Sequence, residues 1–288
     1  NIGVLADDSG SFRNRDGYKI ACTTWSPEAQ PRALVFLAHG YAEHCHVPCY
    51  DSLARTLVEL GCYVFAHDHV GHGKSEGPRG TVKSADIYVD DILTHVDLVR
   101  QKFPGRPVFL FGHSMGGLLV AMAAERRPKD IAGLIMMAPL LAIAKEQGSW
   151  LKVTLARILG RVVPNLPIGD LDLSLVSKDP DTVAWMASDP LRYHGSVRMG
   201  WAAAMLNALE DLQAKIELVD IPFLIQHGSA DKLCDLAGSE DFYKKAPSKD
   251  KSMKVYEDCY HSLLTEPGEM GQQVLKDITD WYTARFPS

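Results

Sequence analysis

Short, nearly continuous apolar runs recur along the chain at Ala33–Ala38, Cys62–Ala66, Val108–Phe111, Ile131–Met137 and Phe223–Gln226, with a last strand-like stretch at Lys251–Tyr256. Each is strand length and apolar at almost every position, so it needs cover on both faces. A parallel sheet between layers of helices supplies that cover. Amphipathic stretches at Asp51–Leu60, Ala85–Lys102 and Gly117–Arg127 separate most of the runs. Strands alternating with helices predict an α/β fold with right-handed crossovers. Ahead of them, Ser11–Arg15 and Tyr18–Trp25 flank Asp16-Gly17, a good hairpin turn.

The alternation breaks between Pro139 and Ile221, where no convincing strand occurs. Helical patterns at Ser149–Val163, Asp181–Ala187 and Val197–Leu209 predict a helical insertion over about 140–220, capping the carboxyl ends of the strands. With that insertion, residues 1–288 read as a single domain. The longest apolar run, Ile131 to Ala144, is interrupted by Gly133 and Pro139 and falls short of the ~20 residues of a spanning helix. A net charge of −6 argues against nucleic acid as partner. Six irregularly spaced cysteines give no disulfide framework, and nothing near the N-terminus reads as a secretory signal. A cytoplasmic location is expected, with peripheral contact to membranes; no oligomeric state follows from the sequence.

Val108–Phe111 runs into Gly112-His113-Ser114-Met115-Gly116, followed by a helix. This is the G-x-S-x-G elbow in its required strand–turn–helix context, and it predicts the α/β-hydrolase fold: a mostly parallel central sheet flanked by helices, with the helical cap inserted after the sixth strand. Glycine is needed on both sides of Ser114 because the turn brings backbone against backbone. The helix behind aims its free N–H groups at a developing oxyanion.

In this fold the acid and then the base follow the nucleophile along the chain. After Ser114, histidine occurs at His194, His227 and His261. His194 falls in the insertion and His227 precedes a Gly-Ser turn, whereas His261 follows the last strand; it is the candidate base. The strand before that one ends in Gly228-Ser229-Ala230-Asp231, which makes Asp231 the acid, with Asp235 as the alternative by position. The acid fixes the imidazole tautomer and stabilises the imidazolium formed when serine loses its proton. The oxyanion hole calls for backbone N–H groups from Met115, after the nucleophile, and from Tyr41, after the strand Ala33–Leu37.

Other chemistry-bearing clusters read as structural. In His67-Asp68-His69-Val70-Gly71-His72, a two-metal hydrolytic pattern would want a carboxylate at Gly71. Gly73-Lys74-Ser75 lacks the first glycine of a phosphate loop, which would fall on Asp68. His44, Cys45, His46 and Cys49 crowd one short loop and read as an active-site rim rather than a zinc site. No metal or cofactor is expected.

The chain strongly resembles the monoglyceride lipase family of serine hydrolases. The matching blocks are His39-Gly40 with Glu43-His44, Val64–Ser75 with Glu76-Gly77, Gly112–Gly117, Pro164-Asn165-Leu166, Ser188-Asp189-Pro190-Leu191 and Gly228–Asp235. The resemblance implies hydrolysis of a monoacylglycerol through an acyl-enzyme on Ser114, with a cap forming an apolar tunnel. It implies that Glu43, His113, Met186 and Leu264 line the substrate site. Cys234 matches a cysteine sensitive to electrophiles in the family. The chain also departs from the pattern. The family's Ser-Gly-Arg-Tyr run is replaced by the longer Cys45–Tyr50, which has no arginine, and Met186 and Leu264 stand where the family has tyrosine and histidine. A more apolar alcohol end is therefore expected, with a less sharp preference for glycerol esters over simple alkyl esters; His46 and Tyr50 are the places to look for replacement polar groups.

Competing readings keep the same fold. One is a carboxylesterase, lysophospholipase or thioesterase with another leaving group; the other is a ligand receptor without turnover, against which the complete triad argues. Leu151, Leu155, Ile158, Leu159 and Val162 share one face of the first cap helix, across from Arg157 and Arg161. Such a helix either lies on a membrane surface or packs on the body.

Overall fold

The computed structural model describes residues 10–142 and 162–286. Its sheet has eight strands, β1 (Ser11–Arg13), β2 (Lys19–Trp25), β3 (Ala33–Ala38), β4 (Cys62–His67), β5 (Val108–His113), β6 (Gly133–Met137), β7 (Phe223–Gly228) and β8 (Lys251–Tyr256), in the order β1-β2-β4-β3-β5-β6-β7-β8. β1 and β2 form an antiparallel hairpin, and β2 joins β4 antiparallel; every pair from β4 to β8 is parallel. The expected alternation is therefore an α/β-hydrolase sheet.

Every residue of β3, β4, β5, β6 and β7 is buried, the result of runs that are apolar on both faces. Successive residues serve opposite layers. Leu34 and Phe36 of β3 pack in one core with helices α2 (Ala85–Lys102), α3 (Met115–Arg126) and α5 (Met199–Lys215). Ala33, Val35 and Leu37 pack in the other with α1 (Pro48–Glu59) and α7 (Met270–Thr283). The edge strand β8 is only partly covered. β3 lies between β4 and β5, so the chain leaves it first to one side and later to the other. Loops diverge at such a reversal, and the crevice at the carboxyl ends of the strands is where α/β sheets bind ligands.

Two helix limits differ from expectation by three residues or more. α1 begins at Pro48, three residues before Asp51, because proline is well suited to the first helical position, where its missing N–H costs nothing. Cys45–Tyr50 is thus not all loop, and Tyr50 falls in the first turn with its side chain buried. α5 continues past Leu209 to Lys215 through Glu210-Asp211-Leu212-Gln213-Ala214, which are mostly good helix formers.

Between β6 and β7 lie α4 (Pro180–Ser188) and α5, with α6 (Leu236–Lys245) following β7. Asp179 caps α4 by accepting from Asp181 and Thr182 amides. The expected helix Ser149–Val163, with its face of Leu151, Leu155, Ile158 and Leu159, lies outside the described residues apart from its end at Val162 and Val163, which are exposed. Among the described residues, no helix is long and apolar enough to cross a membrane.

Candidate active site

β5 ends at His113 and α3 starts at Met115, which leaves Ser114 alone to make the turn. It does so at φ 56° and ψ −119°, a left-handed conformation that strains any residue with a side chain. The turn is tight enough that a Cβ on Gly112 would come 2.3 Å from the Gly116 carbonyl oxygen. One on Gly116 would come 2.2 Å from the carbonyl oxygen of Ala38, at the end of β3. The glycines thus seat the elbow against the next strand. Ser114 is partly exposed, between buried His113 and Met115.

The loops after β7 and β8 bring Asp231 and His261 together, with His261 Nδ1 2.8 Å from Asp231 Oδ2. Asp231 Oδ1 accepts from the amides of Leu233 at 2.8 Å and Cys234 at 3.1 Å. Burial pushes the Asp231 carboxyl up, but the charges and hydrogen bonds of His261 and His227 outweigh it and hold the group well below the usual carboxylate range. Asp235 is occupied elsewhere, capping α6 by accepting from the Ala237 amide at 3.0 Å. The geometry therefore pairs Asp231, not Asp235, with the histidine.

Among the described residues no hydrogen bond joins Ser114 Oγ to His261; the serine hydroxyl lies against the Cys234 thiol instead. Bonds of this kind commonly tighten only with substrate in place. The N–H groups of Tyr41 and Met115 likewise donate to no described acceptor, as an oxyanion hole requires. Both side chains are held by α5. The Tyr41 ring packs on Trp201 at 4.0 Å between centroids, and Trp201 Nε1 donates to Met115 Sδ at 3.3 Å.

Asp231, Cys234 and His261 offer ligand atoms within 4.8 Å of one another, a donor set zinc could use. The local chemistry opposes it. Burial, then the Asp231 charge, push the Cys234 thiol well above its ordinary value, whereas a metal needs the thiolate, and His261 Nδ1 is already bonded to Asp231.

Glu43 and His113 meet in a buried polar group on the β3 side of the serine. Glu43 Oε2 accepts from the Gly40 amide at 2.9 Å and from Tyr50 Oη at 2.6 Å. Tyr50 Oη is also 2.7 Å from His113 Nδ1, and His113 Nε2 is 3.3 Å from the His261 carbonyl oxygen. A Cβ on Gly40 would touch both Glu43 Oε2 at 2.9 Å and Ser114 Cβ at 3.3 Å, so this group borders Ser114. Burial raises the Glu43 carboxyl, but His113, Arg192 and Tyr50 reverse the effect and hold it ionised. Met186 is buried on α4, and Leu264 lines a cleft of about 210 Å³ with Cys49, Leu53 and Glu266. Neither supplies a polar group to this network.

The rim loop after β3 is clamped to the segment following α4. His44 Nε2 is 2.6 Å from Asp189 Oδ2, the Tyr193 amide donates to the Ala42 carbonyl at 2.9 Å, and Arg192 Nη1 stands 3.9 Å from Glu43 Oε1. The His46 ring faces Thr23 Oγ1 at 2.9 Å, while its amide donates to His44 Nδ1 at 3.1 Å. Asp68 ties the loops after β3 and β4 by accepting from the Cys45 and Lys74 amides at 2.8 and 2.7 Å. His67, His69 and His72 are buried beside them and pack among other rings.

The Hydrolase_4 family model, described as serine aminopeptidase S33, matches residues 29–268. The monoglyceride lipase of Rattus norvegicus is 42% identical over 273 residues, covering 95% of this chain and 89% of that protein. The chain belongs to the monoglyceride lipase family. The monoacylglycerol lipase of Mycolicibacterium smegmatis is 34% identical, over 96% of this chain and 97% of that one. The crystal structure of Paleococcus ferrophilus monoacylglycerol lipase superposes with a TM-score of 0.83 at 30% identity, covering 92% of this chain and 99% of that one.

Within this family member, three site residues escaped the sequence reading in whole or in part. Tyr50, which the sequence offers only as a possible replacement polar group, links Glu43 to His113. Arg192 returns a guanidinium to a region expected to be more apolar; its signal was its place directly after Asp189-Pro190-Leu191. His227, set aside as a base, touches the acid: its Nε2 is 3.3 Å from Asp231 Oδ2.

Proposed function

We propose that this protein hydrolyses monoacylglycerols to free fatty acid and glycerol, as a serine hydrolase acting through an acyl-enzyme on Ser114. The observation that carries the reading is the buried Asp231–His261 pair, 2.8 Å apart, opposite an elbow serine in a chain of this family. With Nδ1 bonded to Asp231, His261 presents Nε2 as the base. It takes the Ser114 proton as Oγ attacks the ester carbonyl, and the oxyanion is held by the Tyr41 and Met115 amides. Collapse breaks the bond to the alcohol oxygen, and the imidazolium returns the proton to the departing glycerol. Water then enters and attacks the acyl carbon as it loses a proton to His261; collapse breaks the bond to Ser114 Oγ, which takes that proton back, and releases the fatty acid. Glu43, His113, Tyr50 and Arg192 border the alcohol end, and Met186 and Leu264 belong to the apolar lining.

The reading of about 140–220 as the cap of a single domain, enclosing the acyl chain, is supported by α4 and α5 lying between β6 and β7 among the described residues. Val162, Val163, Leu166 and Ile168 are exposed by 73%, 40%, 44% and 44%, an apolar edge suited to resting on a membrane surface and drawing lipid from it. All six cysteines are free, which suits a reducing, cytoplasmic setting.

The test is a panel of monoacylglycerols, lysophospholipids, short esters and acyl-CoA, run with wild type and Ser114→Ala, plus fluorophosphonate labelling. Highest kcat/KM on monoacylglycerol, with label on Ser114, is the expected result. Highest kcat/KM on acyl-CoA or lysophospholipid would move the leaving group, and an unlabelled, inactive protein would favour a receptor.

A further inference from the structure

His227 is the penultimate residue of β7, directly before Gly228, and is completely buried. Its Nε2 faces two oxygens, Asp231 Oδ2 at 3.3 Å and the Cys234 carbonyl at 3.2 Å. Its Nδ1 is 2.8 Å from Ser239 Oγ, which α6 holds fully buried. A carbonyl and an ionised carboxylate can only accept, so Nε2 carries the ring proton. The Ser239 hydroxyl then donates to Nδ1 and fixes that tautomer.

Asp231 Oδ2 is therefore hydrogen-bonded to His261 and has the Nε2–H of His227 beside it at 3.3 Å, while Oδ1 takes two backbone amides. Three hydrogen bonds hold the carboxylate, and rotating it would break them and carry Oδ2 away from the His227 N–H. We propose that His227 is a positioning residue for the reaction, holding Asp231 Oδ2 through Nε2–H and moderating its pull on His261. The proposal rests on the reading of Asp231 and His261 as acid and base.

A second donor spreads the negative charge of Oδ2 and makes it a weaker acceptor for the first. Without that N–H, Oδ2 pulls harder on the Nδ1 proton of His261, and the variant holds more of its base protonated. The other titratable groups at hand are Cys234, whose thiol burial keeps protonated, and His113, whose ring packs 4.8 Å from that of His261. From α6 only the uncharged Ser239 faces His227.

His227→Leu removes the donor, whereas His227→Gln keeps an amide N–H near the place of Nε2. kcat/KM for a short soluble ester against pH is the readout. In His227→Leu the acid limb is expected to move up by about 0.5–1 unit, making kcat/KM at pH 6 roughly three- to eightfold lower with far less change at pH 8. KM should move little, and His227→Gln should return the limb to within about 0.2 units. A purely structural histidine would lower Tm or kcat at every pH without moving the limb, and a folded His227→Leu with an unmoved limb overturns the proposal. Should that variant not fold, 15N-histidine spectra of the wild type decide: a proton on His227 Nε2 supports it and one on Nδ1 overturns it. Full activity in His261→Ala would instead sink the acid–base reading itself.

Discussion

Arg192 Nη1 stands 3.9 Å from Glu43 Oε1, with both side chains buried. That separation is too long for a direct hydrogen bond, but one oxygen can lie within bonding distance of both atoms. A hydroxyl placed there accepts from the guanidinium and donates to the carboxylate. Methyl and ethyl esters leave no such hydroxyl, whereas a glycerol ester does.

Arg192→Met should therefore lower kcat/KM for a monoacylglycerol by about tenfold or more, and change that for the matched methyl ester much less. The ratio of the two substrates in wild type and variant is the measurement. Equal losses on both would assign Arg192 to clamping the rim loop rather than to the alcohol.

Ser114→Ala should leave only the ~10³–10⁴-fold enhancement over water that binding and the oxyanion hole supply. Asp231→Asn should be comparably severe, because an amide cannot hold the imidazole in the same tautomer. Asp235→Asn should be close to silent, since asparagine caps a helix as well as aspartate does. Purified variants in a single esterase assay rank the three, and a severe Asp235→Asn with a mild Asp231→Asn would move the acid.

The buried histidines make the fold acid-sensitive. His72 and His95 are each pushed down to about 3 by burial, and burial also lowers His39, His67 and His69. The unfolded chain protonates these groups near their ordinary value, so between about 3 and 6.5 it binds more protons and stability is lost as pH is lowered. Each contributes up to about 1.4 kcal/mol per pH unit, against a typical total of about 5–15 kcal/mol. Asp91, raised to about 7 by burial, acts in the opposite sense and offsets roughly one of them. Tm should drop by about 10 °C or more between pH 7 and 5.5. A flat Tm over that range would contradict the argument.

The parts of the molecule legible in the sequence are those fixed by short-range rules. β3 to β7 announce themselves because a strand buried on both faces is apolar at successive positions. Ser114, Asp231 and His261 were locatable because each follows a strand whose end the pattern marks. Arg192 and Tyr50 lie 142 positions apart and converge on Glu43 only once α4 is docked on the rim loop. No local pattern carries that convergence. His227 shows a subtler limit. Its chain position was plain, but a shared carboxylate oxygen is a matter of side-chain direction across two loops. The start of α1 at Pro48 was readable in principle, since proline at a first helical position is itself a signal.

The backbone angles of Ser114 set catalysis and heat tolerance against each other at one residue. Glycine adopts φ 56°, ψ −119° without the strain that serine bears, about 1–3 kcal/mol. Selection for thermal survival alone would therefore favour glycine at position 114, and only selection for turnover keeps the hydroxyl. Ser114→Gly should melt a few degrees above wild type while losing nearly all turnover, even though elsewhere in proteins glycine destabilises by raising the entropy of the unfolded chain. A library enriched for heat resistance without an activity screen should lose its nucleophile early.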